Sequence, residues 1–266
     1  MVCDLHTHSV YSFDGKDPLD VLYQFAADHQ IGVLATTDHC DMTAGPEGIS
    51  SYLAGEADRL RAFARLRERT DGPELLYGVE IGNAMDMPEE TAAFLRDRQF
   101  DFVLGALHFL SDGSDVYKMD FPDGDAIRRM FTDYFQSMER LVTLGGFDSL
   151  AHLDYPVRVL RGKIPSTSML GWRDRIDPIL QLLVRKDIAL EINTRGTYDW
   201  QGRVGPEDWV LRRYRELGGR LLTIGSDAHT ASRVGAGYEE AAEALRRCGF
   251  DAYTIFRDRK PVFFKI

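Results

Sequence analysis

The chain has 266 residues, 44% of them hydrophobic, and a formal net charge of −10. That is enough for a substantial core, and the acidity argues against broad binding to nucleic-acid phosphates. No run of eighteen apolar residues is present to suggest a membrane span, and no basic, then apolar, N-terminal segment marks a secretory signal, so a cytoplasmic protein is expected. Three scattered cysteines, Cys3, Cys40 and Cys248, suit small core positions in a reducing compartment better than a disulfide framework.

Apolar, β-favouring runs alternate with charged, helix-like segments along the whole chain, the pattern of βα units. The expected strands are VCDLHTHS (2–9), GVLATTDH (32–39), ELLYGVEIG (74–82), FVLGALHF (102–109), DSLAHLD (148–154), IALEINT (188–194) and RLLTIGSDAH (220–229). Helices are expected over 18–30, 51–70, 125–145 and 206–218, with Pro18 and Pro206 in first turns and Gly145 and Gly218 at helix ends. Each strand ends in a polar or ionisable residue. An open doubly wound sheet would gather such groups at one switch point, whereas a parallel barrel collects them from all around its ring. The pattern therefore favours an α/β barrel one unit short of the eight-stranded plan.

The strand ends carry, in order, His6 and His8, Asp38 and His39, Glu80, His108, His152 and Asp154, Asn193, and Asp227 and His229. Six of the seven histidines stand at these ends; His29 falls in a helical pattern and reads as surface or structural. Residues two apart on a strand share a face, so His6 and His8 project together. A lone strand-end histidine is more often structural than a ligand, but six at equivalent positions need a common cause. Imidazoles with carboxylates suit zinc, iron or manganese. With Asp14, Glu80 and Asp227 there are nine candidate ligands, too many for one ion, which implies two or three divalent metals and a bridging carboxylate. Such centres clamp phosphoryl groups.

The order DLHTHS, TTDH, GVEIG, ALHF, AHLD and SDAHT resembles the PHP (polymerase and histidinol phosphatase) family of metal-dependent phosphoesterases. AHLDYPVR, EINTRG and LLTIGSDAHTASRVG are similar to its histidinol-phosphate phosphatase branch. The resemblance implies a distorted seven-stranded (β/α)7 TIM-like barrel, a single domain over residues 1–266, holding three metals. It places His6, His8, Glu80 and Asp227 on the first, Glu80, His108 and His152 on the second, and Asp14, His39 and His229 on the third. Many relatives carry a histidine where Asp14 stands.

Arg158, Arg195 and Arg233 follow strand ends, where guanidinium forks suit phosphate oxygens. Arg158 and Arg195 are expected phosphate binders, Arg233 a weaker candidate, and Asp227 or His229 the proton handler. Asp154 could meet a positive end of the substrate, Asn193 a pocket wall, and Asp38 and Asp4 could orient ligands. Phe109, Tyr117, Tyr155, Tyr198 and Trp200 fall in or near loops of the same face. The expected reaction is hydrolysis of a small phosphoric monoester, L-histidinol phosphate first. Nucleotide or sugar phosphates, a metal-dependent amidohydrolase and a non-catalytic module are the rivals. Amidohydrolases of this design often carry a carboxylated strand-end lysine, and no expected strand here ends in lysine.

Overall fold

A computed structural model describes residues 1–43, 48–120, 123–160, 168–199 and 201–266. Seven parallel strands form one sheet in sequential order: β1 (Cys3–Asp4), β2 (Val33–Thr36), β3 (Glu74–Gly82), β4 (Phe102–Ala106), β5 (Ser149–Leu150), β6 (Ala189–Asn193) and β7 (Leu222–Gly225). The sheet nearly closes on itself. Leu5 N donates to Ile224 O at 3.0 Å, His8 N donates to Ala228 O at 2.8 Å, and Thr7 bridges Ala228 in parallel register. Buried Asp4 reinforces the seam by accepting from the backbone N–H groups of Ser226 at 2.9 Å and Gly235 at 2.7 Å. Asp4 thus ties the barrel's first strand to its last, and it also accepts from the backbone N–H of His6 at 3.2 Å, so it holds that residue by its main chain and not by its ring.

Among the described residues each crossover carries a helix: α1 (Leu19–Asp28), α2 (Ile49–Ala54), α3 (Glu56–Arg67), α4 (Pro88–Arg96), α5 (Gly124–Leu144), α6 (Tyr155–Leu160), α7 (Arg173–Lys186) and α8 (Asp208–Glu216), with α9 (Tyr238–Arg247) after β7. Their buried faces follow helical spacing. Leu19, Leu22, Tyr23 and Ala26 are buried in α1, and Tyr134, Phe135, Met138, Leu141 and Val142 in α5. The Asp123 carboxylate caps α5 by accepting from Ala126 N at 2.7 Å, and Gly145 ends it at φ 73°.

Three local expectations change. The helix expected over 51–70 is broken at Gly55, which ends α2 and begins α3, because glycine holds helical geometry weakly. Pro18 and Pro206 stand just outside their helices, since α1 begins at Leu19 and α8 at Asp208. The ladders are also shorter than the apolar runs: paired backbone stops before most of the polar residues, which lie in the loops beyond.

A C-terminal hairpin, β8 (Ala252–Arg257) and β9 (Lys260–Lys265), was not anticipated. Its two-residue turn places Asp258 and Arg259 at φ 47° and 63°, a conformation usually signalled by Asn-Gly or Asp-Gly. The hairpin packs below the barrel. Arg259 N donates to Asp101 O at 2.9 Å, the Arg259 side chain grips Asp148 and Gly146 O, and Phe256 stacks on Phe102 at 5.4 Å. It covers the ends where β4 and β5 begin and leaves the opposite, carboxyl ends open.

The carboxyl-end seam has no spare room at Gly225, where an added Cβ would sit 2.4 Å from His6 Cβ and 2.6 Å from Glu191 Oε1. Gly225→Ala is expected to cost about 1–3 kcal/mol by overpacking. Scanning calorimetry should register a fall in Tm of roughly 3–10 °C.

Candidate metal centre

The strand ends deliver their polar side chains to one point. Glu80, from β3, is fully buried at its centre. Its Oε1 lies 2.9 Å from His152 Nε2, 3.4 Å from His6 Nε2 and 3.5 Å from His108 Nε2, and its Oε2 lies 2.8 Å from His39 Nδ1 and 3.6 Å from His8 Nε2. Asp227 Oδ1 approaches His8 Nε2 at 3.7 Å. At the rim, the Asp14 carboxylate spans His39 Nε2 at 3.6 Å and His229 Nε2 at 2.9 Å. All nine predicted ligands are therefore brought together. Ring centroids of His8 lie 4.2 Å from His39 and 4.3 Å from His229.

The arrangement fits divalent cations on two observations. Six of the thirteen buried side-chain N or O atoms that lack hydrogen-bond partners among the described residues belong to the predicted ligands: His6 Nε2, His8 Nε2, Asp14 Oδ1, His39 Nδ1, Glu80 Oε2 and His152 Nδ1. Burying such atoms is costly without a partner, and inward-facing nitrogen lone pairs beside a carboxylate are what a cation supplies. The donors also fall into compact triplets, including His6, His8 and Glu80, and Glu80, His108 and His152.

Outer partners aim the rings. His6 Nδ1 is bonded to Glu191 Oε1 at 2.6 Å, His108 Nδ1 to Asp41 Oδ1 at 2.8 Å, and His8 Nδ1 to Ser12 Oγ at 3.2 Å. With the proton held on Nδ1, each ring turns the lone pair on Nε2 inward. Asp38 acts one step further out: it accepts from Ser12 Oγ at 2.9 Å and from Ser9 N at 2.7 Å, and Ser12 Oγ in turn accepts from His39 N at 3.0 Å. Gly82 makes room for one of these pairs, because a Cβ there would overlap Asp41 Oδ1 and come within 2.9 Å of His108 Nδ1. His152 and Asp227, just past β5 and β7, hold positive φ of 23° and 55°, which is strained for side-chain-bearing residues.

The field inside the cluster keeps Glu80 and Asp227 ionised and His8 neutral, while against burial the neighbouring carboxylates push His6, His39 and His108 above an ordinary imidazole, so a bound cation takes the place of protons there. Burial pushes the Glu80 carboxyl up, but His6, His39 and His108 outweigh it and hold the group well below the usual range. Burial, with His39 and His229 beside it, depresses His8 well below an ordinary imidazole. Asp227 is raised by burial and lowered further by Arg158, His6 and Arg195, ending well below a free carboxylate. Arg158 is buried and donates from Nη1 to Asp227 Oδ2 at 2.6 Å and from Nη2 to Asn193 Oδ1 at 3.0 Å. Arg195 Nη1 reaches Asp227 Oδ1 at 3.2 Å.

Above the ligands opens a cavity of about 370 Å³, walled by Phe13, Lys16, Asp115, Tyr117, Arg158 and Arg195 among others. Phe109 and Tyr155 also line it. Two predicted substrate contacts lie elsewhere. Asp154 turns away to Arg203 at 3.6 Å and packs against Gly205, and Arg233 sits over the Tyr198 ring at 4.7 Å. Each follows a strand end, but the loop carries it off the cavity. Tyr198 donates to Ser226 O at 2.8 Å, outside the cavity wall, and Trp200 lies outside the described residues. Sequence reasoning missed Glu191, Asp41, Ser12 and Lys16. A signal for Glu191 existed: it is the one charged residue inside the apolar run IALEIN.

The PHP domain profile matches residues 4–195, well over half of the chain. The chain belongs to the PHP domain family. Among PHP-related proteins, one from Thermotoga maritima named "Probable histidinol-phosphatase" is 32% identical, with 99% of each chain covered. A Clostridium acetobutylicum protein of the same name is 28% identical over all of this chain and 97% of its own. The crystal structure of histidinol phosphate phosphatase from Lactococcus lactis subsp. lactis, complexed with zinc, L-histidinol and phosphate, superposes with a TM-score of 0.78 at 25% identity, covering 98% of each chain.

Removing the carboxylate that aims His6 should weaken metal binding without touching a ligand. Glu191→Gln is expected to lower metal affinity about 10- to 100-fold, read by competition with a chromophoric chelator.

Proposed function

We propose that this PHP-family chain is a metal-dependent phosphoric monoester hydrolase acting on L-histidinol phosphate, and that residues 1–266 work as one barrel domain. The observation that carries the reading is a cavity whose floor is a ring of metal-type donors and whose wall holds Arg158 and Arg195. The substrate follows from the Lactococcus relative, which carries L-histidinol and phosphate and matches this chain end to end.

His6, His8, Glu80 and Asp227, then Glu80, His108 and His152, then Asp14, His39 and His229 would hold two or three ions of zinc, iron or manganese. Bound there, divalent cations supply Lewis acidity toward phosphoryl oxygens and a lowered pKa for water. The protein's own groups do the rest. Arg195, less buried than Arg158, presents its remaining donors to equatorial phosphoryl oxygens, where charge grows in the transition state. Arg158 fixes Asp227 and Asn193 in place. Asp227, held ionised by both arginines, offers its carboxylate to a cation or as an acceptor for the O–H of an attacking water, and holds no proton at neutral pH to give to the leaving alkoxide. His229 lines the cavity at its rim, with Nδ1 bonded to Asp227 O at 2.9 Å, which turns Nε2 toward Asp14.

Among the described residues no strand of the barrel ends in lysine, which counts against the amidohydrolase reading; the cavity's lysines, Lys16 and Lys118, lie between strands. A cytoplasmic setting is part of the same proposal. It is supported by three buried, unpaired cysteines and by the finding that no described helix is long and apolar enough to cross a membrane.

The test is phosphate release from L-histidinol phosphate by manganese- or zinc-loaded protein, beside a panel of nucleotide, sugar and aryl phosphates. Strong preference for L-histidinol phosphate is expected, lost on chelation and lowered more than about 100-fold by His8→Ala. Turnover of other esters alone would overturn the substrate. No hydrolysis with metals demonstrably bound would overturn the phosphatase.

A further inference from the structure

Four cationic side chains line the cavity: Lys16, Lys118, Arg158 and Arg195. Three already meet carboxylates. Lys118 Nζ lies 2.8 Å from Asp115 Oδ2, Arg158 is locked to Asp227 at 2.6 Å, and Arg195 reaches the same carboxylate at 3.2 Å. Lys16 is exposed and, among the described residues, pairs with no carboxylate. Its neighbours are engaged elsewhere, Asp14 on His39 and His229, and Asp17 Oδ2 on Ala231 N at 2.7 Å.

The backbone, not the side chain, decides where Lys16 stands. Its N–H donates to His229 O at 2.9 Å, Val10 N donates to Asp17 O at 3.0 Å, and Gly15 packs so tightly on Ser9 that a Cβ would overlap the Ser9 carbonyl oxygen. The loop over residues 9–17 is thereby zipped to the residues after β7, with an untethered ammonium at the cavity mouth.

An anionic ester approaching this chain meets a net charge of −10 and cavity walls that include Asp14, Asp41, Asp115 and Asp227. An unpaired point charge at the entrance counters that field and adapts to a moving phosphate better than a fork already committed to Asp227. We infer that Lys16 is the capturing cation for the substrate's phosphate, a binding residue that acts before the arginines engage. The inference rests on the phosphatase reading of the cavity, but phosphate binding tests it without turnover.

The experiment compares wild type with Lys16→Gln and Lys16→Arg, all metal-loaded. It measures inorganic phosphate binding by calorimetry, and kcat and KM on the best ester of the panel, at low salt and at about 0.5 M salt. Lys16→Gln should weaken phosphate binding and raise KM about three- to tenfold at low salt, with little of the change in kcat. The difference should shrink at high salt, Lys16→Arg should recover most of it, and metal content should stay at the wild-type value. Unchanged phosphate affinity and KM would overturn the inference, as would a loss confined to kcat or accompanied by lost metal. Wild type that turns over an ester while Lys16→Gln matches it defeats Lys16 alone. Phosphate binding through Lys16 without hydrolysis of any ester defeats the phosphatase reading alone. Wild type that binds no phosphate defeats Lys16, and if it also hydrolyses no ester it defeats both.

Discussion

Glu80 carries a negative charge at zero exposure, and both of its oxygens face imidazoles drawn from β1, β2, β4 and β5. A carboxylate so placed cannot remain ionised on its own, because desolvation alone would neutralise it. It stays ionised only if cationic partners surround it, and the barrel delivers them because strand ends on opposite sides of a ring are brought within a few ångströms of its axis. Glu80 is itself paired with Leu104 and bridges His39, so the inward side chains converge across the ring while the backbone there stays paired.

The polar interior continues downward in ordered layers. Below the ligands, Glu191 accepts from His6 Nδ1, from His152 N at 2.7 Å and from Asn193 Nδ2 at 3.1 Å. One buried carboxylate thereby sets the tautomer of one ligand, the strained backbone of a second and the amide that braces Arg158. Asp41 and the Asp38–Ser12 pair do the same for the other side of the ring. Buried networks of this kind are stable only when every member is satisfied, so they transmit a demand for one geometry from the sheet to the donors. Stability has to come from elsewhere: from the apolar outer faces of the strands under α1, α5 and α9, and from the hairpin that covers the opposite end.

The alternation of apolar runs with helical segments made the βα order legible, and strand-end chemistry made the ring of ligands legible, because both are local signals repeated seven times. What escaped detection depended on contacts distant in sequence or on turn chemistry without its usual residue. Asp258 and Arg259 adopt left-handed backbone with no glycine, held by Asp148 and Asp101 more than 100 residues earlier, so the hairpin left no local mark. Glu191 sits in a stretch already quoted for its neighbours and Asp41 two residues past another, and only the fold shows which imidazole each one holds. Asp154 and Arg233 mislead for the opposite reason. Parity at a strand end predicts direction for one or two residues, after which the loop decides, and here it turns Asp154 toward Arg203 and Arg233 onto Tyr198.

The centre's cost explains how folding and function are joined. Crowded imidazoles with orphaned nitrogens, two ligand residues in left-handed backbone and a fully buried carboxylate each raise the free energy of the protein without its cations. A cation that engages those atoms satisfies them together, so its binding free energy is also conformational free energy of the barrel's upper end. The lower end, closed by the hairpin, has no such dependence. A scaffold that is rigid below and completed by ions above can hold its donors in place while the loops bearing Asp14, Lys16 and Tyr117 remain exposed to the substrate.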